Sequence, residues 1–389
     1  MWVKFRHKVT FSKLKPIFKV FYRLKYGTKI YNCKLKKKQP YLILSNHLTT
    51  LDPFLVSASF SRPIYSMASE DLFSSGFGKL ITFLTAPIPK AKSKTDLTAI
   101  KDCMRVAKEG GSILIFPEGN RSYDGELCKI DDSIVKLVKL LRLPLVLYNI
   151  VGGYGIDPRW CKKTRKGKSY GKAIKIIEYD EIKALSNEEL YSLIIDNLTV
   201  ETVPTNNKYK CRKSAEGLER ILYKCPICGK LETIYTKGKY VYCSECGLKV
   251  KYNYYLEFES DNQDFKFKYV KDWYNYQKDY ILSLKDDELI NFSDKNVGLY
   301  KMQKYKKGLL IETGDLSIDN DSIKIGSHSF NISDIDDVTV VGKKKINFYI
   351  NNETYQLKGD KGMNVIKYYQ AFYYLKNKNG DVTNEIFGI

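Results

Sequence analysis

Asn46-His47-Leu48-Thr49-Thr50-Leu51-Asp52 and Phe116-Pro117-Glu118-Gly119-Asn120-Arg121-Ser122 are the two stretches on which the reading of this 389-residue chain turns. Each leaves a short apolar run, residues 41–44 and 112–116. Runs of this length, bounded by polar residues and glycine, read as buried strands. The first stretch sets an imidazole and a carboxylate five positions apart. The second groups a carboxylate, a glycine and a guanidinium.

Working outward, residues 41–45, 64–68, 112–116, 145–151 and 173–177 read as strands. Residues 52–60, 95–108, 131–141 and 187–198 read as helices, and Gly110-Gly111 is a fitting helix stop. Strands alternating with helices predict an α/β fold with a mainly parallel sheet flanked by helices. Catalytic groups in such sheets sit in loops leaving the C-terminal strand ends, which is where both stretches fall.

The chemistry follows from the residue types. A neutral His47 can take a proton from an attacking hydroxyl, and Asp52 would orient its ring and steady the imidazolium. By itself a histidine is most often structural; the partner carboxylate and the second stretch decide otherwise. In this arrangement residues 40–200 resemble the PlsC-type glycerolipid acyltransferase family. His47 and Asp52 match its His-x4-Asp block, and 116–122 match its Phe-Pro-Glu-Gly-Thr-Arg-Ser block with Asn120 for Thr. Lys90, in Ala86-Pro87-Ile88-Pro89-Lys90, stands where the family carries a phosphate-binding arginine; it keeps the charge and loses the bidentate fork. The fourth block maps loosely onto 144–151. The resemblance implies that Arg121 and Lys90 grip an acceptor phosphate. It implies that Glu118, with Gly119 beside it, orders that shell or meets the glycerol hydroxyls.

Residues 1–40 carry thirteen Lys or Arg and no acid, part of a formal net charge of +21. Such an arm favours anionic lipid headgroups or nucleic acid. Residues 13–26 predict an amphipathic helix with Leu14, Ile17, Phe18, Phe21 and Leu24 on one side and Pro16 in its first turn. It is either a core-packing helix with a solvated basic face or one lying in a membrane interface with snorkelling lysines. No run approaches eighteen apolar residues, and neither a spanning helix nor a secretory signal is expected. Low alanine with abundant Lys, Ile, Asn and Tyr suggests an AT-rich bacterial genome.

Cys225-Pro226-Ile227-Cys228-Gly229 and Cys243-Ser244-Glu245-Cys246-Gly247 form two Cys-x-x-Cys pairs. Cys225, Cys228, Cys243 and Cys246 predict one structural zinc in a ribbon, the alternatives being disulfides or plain thiols. Cys33, Cys103, Cys128, Cys161 and Cys211 are scattered, as in a reducing compartment. Basic and aromatic residues around the pairs (Tyr240, Tyr242, Lys249, Lys251, Tyr252) permit nucleic-acid binding, but a folding staple or docking module suits this chain better. Residues 273–284 predict a helix before an acidic break at Asp286-Asp287-Glu288. Beyond 290, alternating runs at 308–313, 322–325, 337–341, 346–350 and 354–357 precede a helix over 363–375. They predict a β-barrel or sandwich with a capping helix, resembling a pleckstrin-homology or GRAM-like module. Lys343-Lys344-Lys345 marks a turn that either touches a membrane or is solvated.

The expected parts are a membrane-contacting arm (1–40), an acyltransferase domain (41–205), a connector with the zinc ribbon (206–250), a helical linker (251–289) and the β module (290–389). The expected activity moves a fatty acyl group from acyl-CoA or acyl carrier protein to a lysophospholipid, foremost 1-acyl-glycerol-3-phosphate. Acylation of glycerol-3-phosphate or a lyso-ornithine lipid is the nearest rival. A degenerate domain acting as a membrane or nucleic-acid adaptor is the more distant one. The expected partners are the lysophospholipid acceptor, the acyl donor and an anionic membrane surface, with acyl carrier protein as a possible donor protein and nucleic acid not expected. The expected place is peripheral, on the cytoplasmic face of the cell membrane.

Overall fold

A computed structural model describes residues 2–36, 39–69, 72–73, 78–90, 96–203, 206–285, 290–303, 308–360 and 362–378. The acidic break at 286–288 lies outside the described residues. The chain divides into two units. The first reaches Arg159 and resumes over Thr164–Lys210; the second joins Trp160–Lys163 to the chain from Cys211 onward.

The first unit runs α1 (Phe5–Tyr26), β1 (Thr28–Ile30), β2 (Leu42–Ser45), α2 (Asp52–Ser57), β3 (Ile64–Ser69), α3 (Gly78–Thr85) and β4 (Ile88–Lys90). It continues with α4 (Leu97–Lys108), β5 (Ser112–Ile115), α5 (Ser133–Leu141), β6 (Leu145–Val151), α6 (Gly153–Ile156), β7 (Ser169–Ile177), α7 (Tyr179–Ala184) and α8 (Asn187–Leu198). Its seven strands lie in the order β1-β7-β6-β2-β5-β3-β4. Every neighbouring pair is parallel except β6 with β7. The mainly parallel α/β sheet is therefore present. β2 sits between β5 and β6, and all four residues of β2 and of β5 are buried. Strands buried on both faces read as continuous apolar runs, which is why they were visible in the sequence. Leu42, Leu44, Ile113, Ile115, Leu145 and Leu147 form one core with Val106 of α4, Val138 of α5 and Ile194 of α8. α4 is capped by Asp96, whose side chain accepts from Thr98 N and Ala99 N.

The N-terminal helix corrects two expectations. It starts at Phe5, eight residues early, and Pro16 lies inside it. The proline removes one backbone donor, but the residue four positions back, Ser12, is exposed like Pro16 itself, so water can serve the carbonyl left open. The apolar residues also split between two sides. Leu14 and Phe18 face a cavity within the unit, whereas Phe5, Ile17, Val20 and Leu24 are 57–79% exposed. On α3, which packs on α1, Leu80 and Phe83 are exposed as well.

The second unit opens with an antiparallel sheet of β8 (Ile234–Lys237), β9 (Tyr240–Cys243), β10 (Lys249–Tyr252) and β11 (Phe258–Glu259), ordered β11-β10-β9-β8. α9 (Val270–Leu282) follows. Then come β12 (Phe292–Lys301), β13 (Leu309–Ile318), β14 (Ser322–Ile325), β15 (His328–Asn331), β16 (Asp337–Val341), β17 (Lys345–Ile350) and β18 (Glu353–Lys358). They make one antiparallel sheet, β15-β14-β13-β12-β18-β17-β16, and α10 (Val365–Lys378) follows it. The sequence runs had missed β12 and β15. β12 is bulged between Asp294 and Val297, which breaks the alternation that marks a strand. Lys343, in the lysine-rich turn, donates from Nζ to the Cys161 carbonyl.

Candidate active site

The strands β2, β5 and β6 end side by side, and each delivers a loop to the same place. Asn46, the first residue past β2, behaves as a side-chain extension of the sheet. Its Nδ2 donates to the Ile150 carbonyl at 3.0 Å and its Oδ1 accepts from Ile150 N at 2.8 Å. This two-way bond fixes the chain just before His47 to the neighbouring strand.

Asp52 then closes the loop from its far end. Its Oδ2 accepts from His47 Nδ1 at 2.9 Å, from Leu48 N at 2.7 Å and from Thr49 N at 2.7 Å, while Oδ1 accepts from the Thr49 hydroxyl. The carboxylate is fully buried and starts α2, where a negative charge suits the helix dipole. The x4 spacing thus lets one side chain begin a helix and hold the imidazole above it. Since Nδ1 faces Asp52, Nε2 is the nitrogen left for a substrate. The ring lies on Phe116 at 4.3 Å between centroids, and 19% of the side chain stays exposed.

Glu118 ties the second loop to the first. Its Oε1 accepts from His47 N at 2.6 Å and its Oε2 from Cys128 N at 2.9 Å. Both oxygens are thus engaged by backbone. Burial pushes the carboxyl up to about 7 against these donors, and the Asp52 charge adds to the rise. Gly119 has φ +69°, a left-handed turn that a side chain would strain. That turn lets the chain double back from Glu118 to Arg121.

Arg121 meets residues that the sequence did not single out. Its Nη1 lies 3.5 Å from Asp157 Oδ2 and 3.5 Å from the Asp157 carbonyl. Asp157 Oδ2 also accepts from Thr50 N and Thr50 Oγ1, at 3.2 and 2.9 Å. Arg159, buried, donates to the Arg121 carbonyl at 3.1 Å and stacks its guanidinium 4.3 Å from the Tyr123 ring centre. Asp157 and Arg159 come from the loop beyond β6 and α6, in a stretch with no periodic pattern, so only the fold brings them here.

His47 is held below its ordinary value. Burial is the main cause; the hydrogen bond and charge of Asp52 oppose it, and the Arg121 and Arg159 charges reinforce it. A neutral imidazole with Nε2 outward is the form a general base needs. Lys90 ends β4 with its side chain exposed. Its charge bears on Cys103 and Asp131, whereas Arg121 and Arg159 are the cations that depress His47. Beside the site, α1, α2, β3 and α3 enclose a mostly apolar cavity of about 200 Å³ lined by Phe11, Leu14, Phe18, Phe54, Ile81 and Leu84, with Thr50 at its edge.

Residues 28–150 match the family model described as Acyltransferase. The chain is an acyltransferase enzyme. The "Probable 1-acyl-sn-glycerol-3-phosphate acyltransferase" of Mycoplasma genitalium is 22% identical over 208 residues, which are 51% of this acyltransferase and 73% of that protein. The 1-acyl-sn-glycerol-3-phosphate acyltransferase of Borreliella burgdorferi is 27% identical over 120 residues, 30% of this chain and 48% of its own. The crystal structure of the 1-acyl-sn-glycerophosphate acyltransferase PlsC from Thermotoga maritima aligns with TM-score 0.41 and 19% identity, covering 49% of this acyltransferase and 77% of that chain.

The four paired cysteines of the acyltransferase meet in the second unit. All their sulfur atoms lie within 4.8 Å of one another. Cys225 and Cys246 are 3.6 Å apart, Cys228 and Cys243 3.8 Å. A tetrahedral site with metal–sulfur bonds of about 2.3 Å sets its sulfurs roughly 3.8 Å apart. Gly229 and Gly247, each after a second cysteine, have φ of +70° and +71°, the turn that points both thiols one way. The donor set suits a metal ion, and four sulfurs leave no open position.

Proposed function

We propose that the chain is a PlsC-type O-acyltransferase that converts 1-acyl-glycerol-3-phosphate to phosphatidic acid, with acyl-CoA or acyl carrier protein as donor. The observation that carries this reading is an Asp52-oriented His47 beside two guanidiniums, Arg121 and Arg159. The acceptor oxygen attacks the thioester carbonyl carbon as its proton passes to His47 Nε2. The tetrahedral intermediate then expels the thiolate, and the imidazolium returns the proton to that sulfur. Arg121 holds the acceptor phosphate, with Lys90 as a further cation at the rim. The apolar cavity beside Thr50 receives an acyl chain.

The relatives named for action on 1-acyl-sn-glycerol-3-phosphate support this acceptor over glycerol-3-phosphate or a lyso-ornithine lipid. Work at a membrane surface is part of the proposal. Residues 1–40, which include α1, carry thirteen Lys or Arg and no acid, and α1 has an exposed apolar edge continued by Leu80 and Phe83, while no helix among the described residues is long and apolar enough to cross a bilayer. The reading places the enzyme peripherally on the cytoplasmic face of the cell membrane. The four cysteines would hold a structural zinc in a ribbon, which steadies the fold and takes no part in the reaction. The C-terminal sheet with α10 is read as a pleckstrin-homology or GRAM-like module.

Mass-spectrometric product analysis with lysophosphatidic acid and each acyl donor tests the proposal. Phosphatidic acid is expected from the wild type and none from His47→Ala, with unchanged thermal unfolding. Turnover of a phosphate-free acceptor in preference to lysophosphatidic acid would refute the acceptor assignment.

A further inference from the structure

One face of the β8–β11 sheet is a regular grid. Across the strands, Tyr235 of β8 stands opposite Tyr242 of β9, which stands opposite Lys249 of β10. One step along, Lys237 stands opposite Tyr240, which stands opposite Lys251. Residues two apart share a face, so three tyrosines and three lysines line one side. The other side carries Ile234, Val241, Cys243, Val250 and Tyr252, all buried. Among the described residues of these strands, the carboxylate on the grid is Glu259, at the β11 edge and 2.6 Å from Lys251. Lys237 and Lys249 are exposed and have no carboxylate within ion-pair distance among the described residues.

The rings decide what this face can receive. Tyr235 and Tyr242 stack on each other at 5.1 Å with planes 14° apart. Tyr240 leans on Tyr242 at 6.0 Å, and the Lys249 ammonium sits 4.7 Å over the Tyr240 ring. The ring faces are therefore partly taken by one another and by a cation, Tyr235 remaining 49% exposed. A platform for nucleic-acid bases needs open ring faces. What this surface combines is phenol rings, their hydroxyl tips and ammonium groups. An apolar body with a wet polar tip is the composition suited to the headgroup level of a bilayer, with lysines drawn to anionic phosphates.

We propose that this tyrosine–lysine face is a contact surface for anionic lipid headgroups, separate from the α1 surface. It rests on the reading of the enzyme as one that works at a bilayer, and it assigns the second unit a share in holding it there. Lys237 and Lys249 supply the charge, Lys251 being shared with Glu259, and the tyrosines supply interfacial bulk.

The test uses the full chain in co-sedimentation with vesicles of phosphatidylcholine alone or mixed with phosphatidylglycerol. A lysine near an anionic surface is worth roughly a factor of five in partitioning, so Lys237→Gln with Lys249→Gln is expected to weaken binding to the mixed vesicles roughly twenty-five-fold. Binding to neutral vesicles and turnover of a micelle-dispersed substrate should stay near wild type. Thermal unfolding and metal content check that the sheet is intact. Undiminished binding to mixed vesicles overturns the proposal. So does salt-sensitive binding of single-stranded homopolymer RNA that the same variant loses while vesicle binding persists. A parallel variant, Ile17→Asp with Leu24→Asp, tests α1 alone. If it abolishes vesicle binding and the lysine variant changes nothing, the bilayer reading stands and this face has no part in it. If the wild type binds neither vesicle, both fall.

Discussion

Replacing Asp52 by Asn isolates the charge of the carboxylate from its shape. With the amide oxygen in the Oδ2 position, the bonds from His47 Nδ1, Leu48 N and Thr49 N can all remain, and the amide nitrogen meets a Thr49 hydroxyl able to turn and accept. The loop should keep its form. What disappears is the countercharge to the imidazolium that forms as the acceptor loses its proton. At 2.9 Å and an effective dielectric of about 20, two unit charges interact by roughly 5 to 6 kcal/mol. At about 1.4 kcal/mol per decade, that caps the loss near four decades in rate. The preserved hydrogen bond reduces it, and the expected fall in kcat is about three to four decades. The same change removes the Asp52 charge, which helps to raise His47, so its titration should move further down. Thiol release from acyl-CoA reads the rate, and thermal melting reads the fold. A variant that melts normally and keeps kcat within about tenfold of wild type would refute the countercharge role.

Other perturbations test other parts of the site. Because Glu118 is raised from 4.5 to about 7, mainly by burial, the folded state binds its proton more tightly than the unfolded chain does. Its contribution is therefore fullest below pH 4.5 and declines as pH rises to about 7. Glu118→Gln should flatten the fall in denaturant stability between pH 4.5 and 7.5 by roughly 3 kcal/mol relative to wild type; an unchanged slope would contradict the burial argument. Since the acid limb of kcat/KM reports the free enzyme's base, its midpoint should lie below 6.5; a midpoint above 7 would show that Asp52 outweighs burial. Arg159→Lys keeps the charge but loses the planar stack on Tyr123. It should raise KM for a phosphate-bearing acceptor about tenfold while sparing KM for the donor, and equal effects on both would make Arg159 merely structural. Removing metal with a strong chelator should unfold the β8–β11 sheet, read as loss of structure by circular dichroism; an unaltered spectrum would mean the four thiols need no ion.

The parts of the fold that could be read beforehand are those whose signal is local. β2, β5 and β6 are buried on both faces and appear as apolar runs, and the loops after the first two carry side chains whose chemistry is legible from spacing. Asp52 could be paired with His47 because one turn of backbone brings them together. Asn46 stood in the same quoted stretch, yet its bond to Ile150 spans 104 residues and leaves no trace in periodicity. Asp157 and Arg159 escaped for the same reason. The antiparallel entry of β7 and the short β1 and β4 depend on which strands meet, and pairing is a property of the whole sheet. In α1 the proline misled because the helix runs on through it, with water able to reach the Ser12 carbonyl it leaves open so that no acceptor is buried unpaired.

Trp160–Lys163 has a practical consequence. The indole of Trp160 is fully buried against Tyr252 at 5.9 Å, its carbonyl accepts from Arg220, and Lys162 pairs with Glu219 at 2.7 Å. A four-residue loan from the middle of one unit is thus built into the other, and the chain crosses between them at 159/160, 163/164 and 210/211. No single cut separates the two. Trimming the gene after α8 would leave Trp160 without the residues that bury it, inviting aggregation of a fragment that still holds the whole matched stretch 28–150. Whoever wishes to dissect this enzyme will do better to redesign that loop than to look for a boundary.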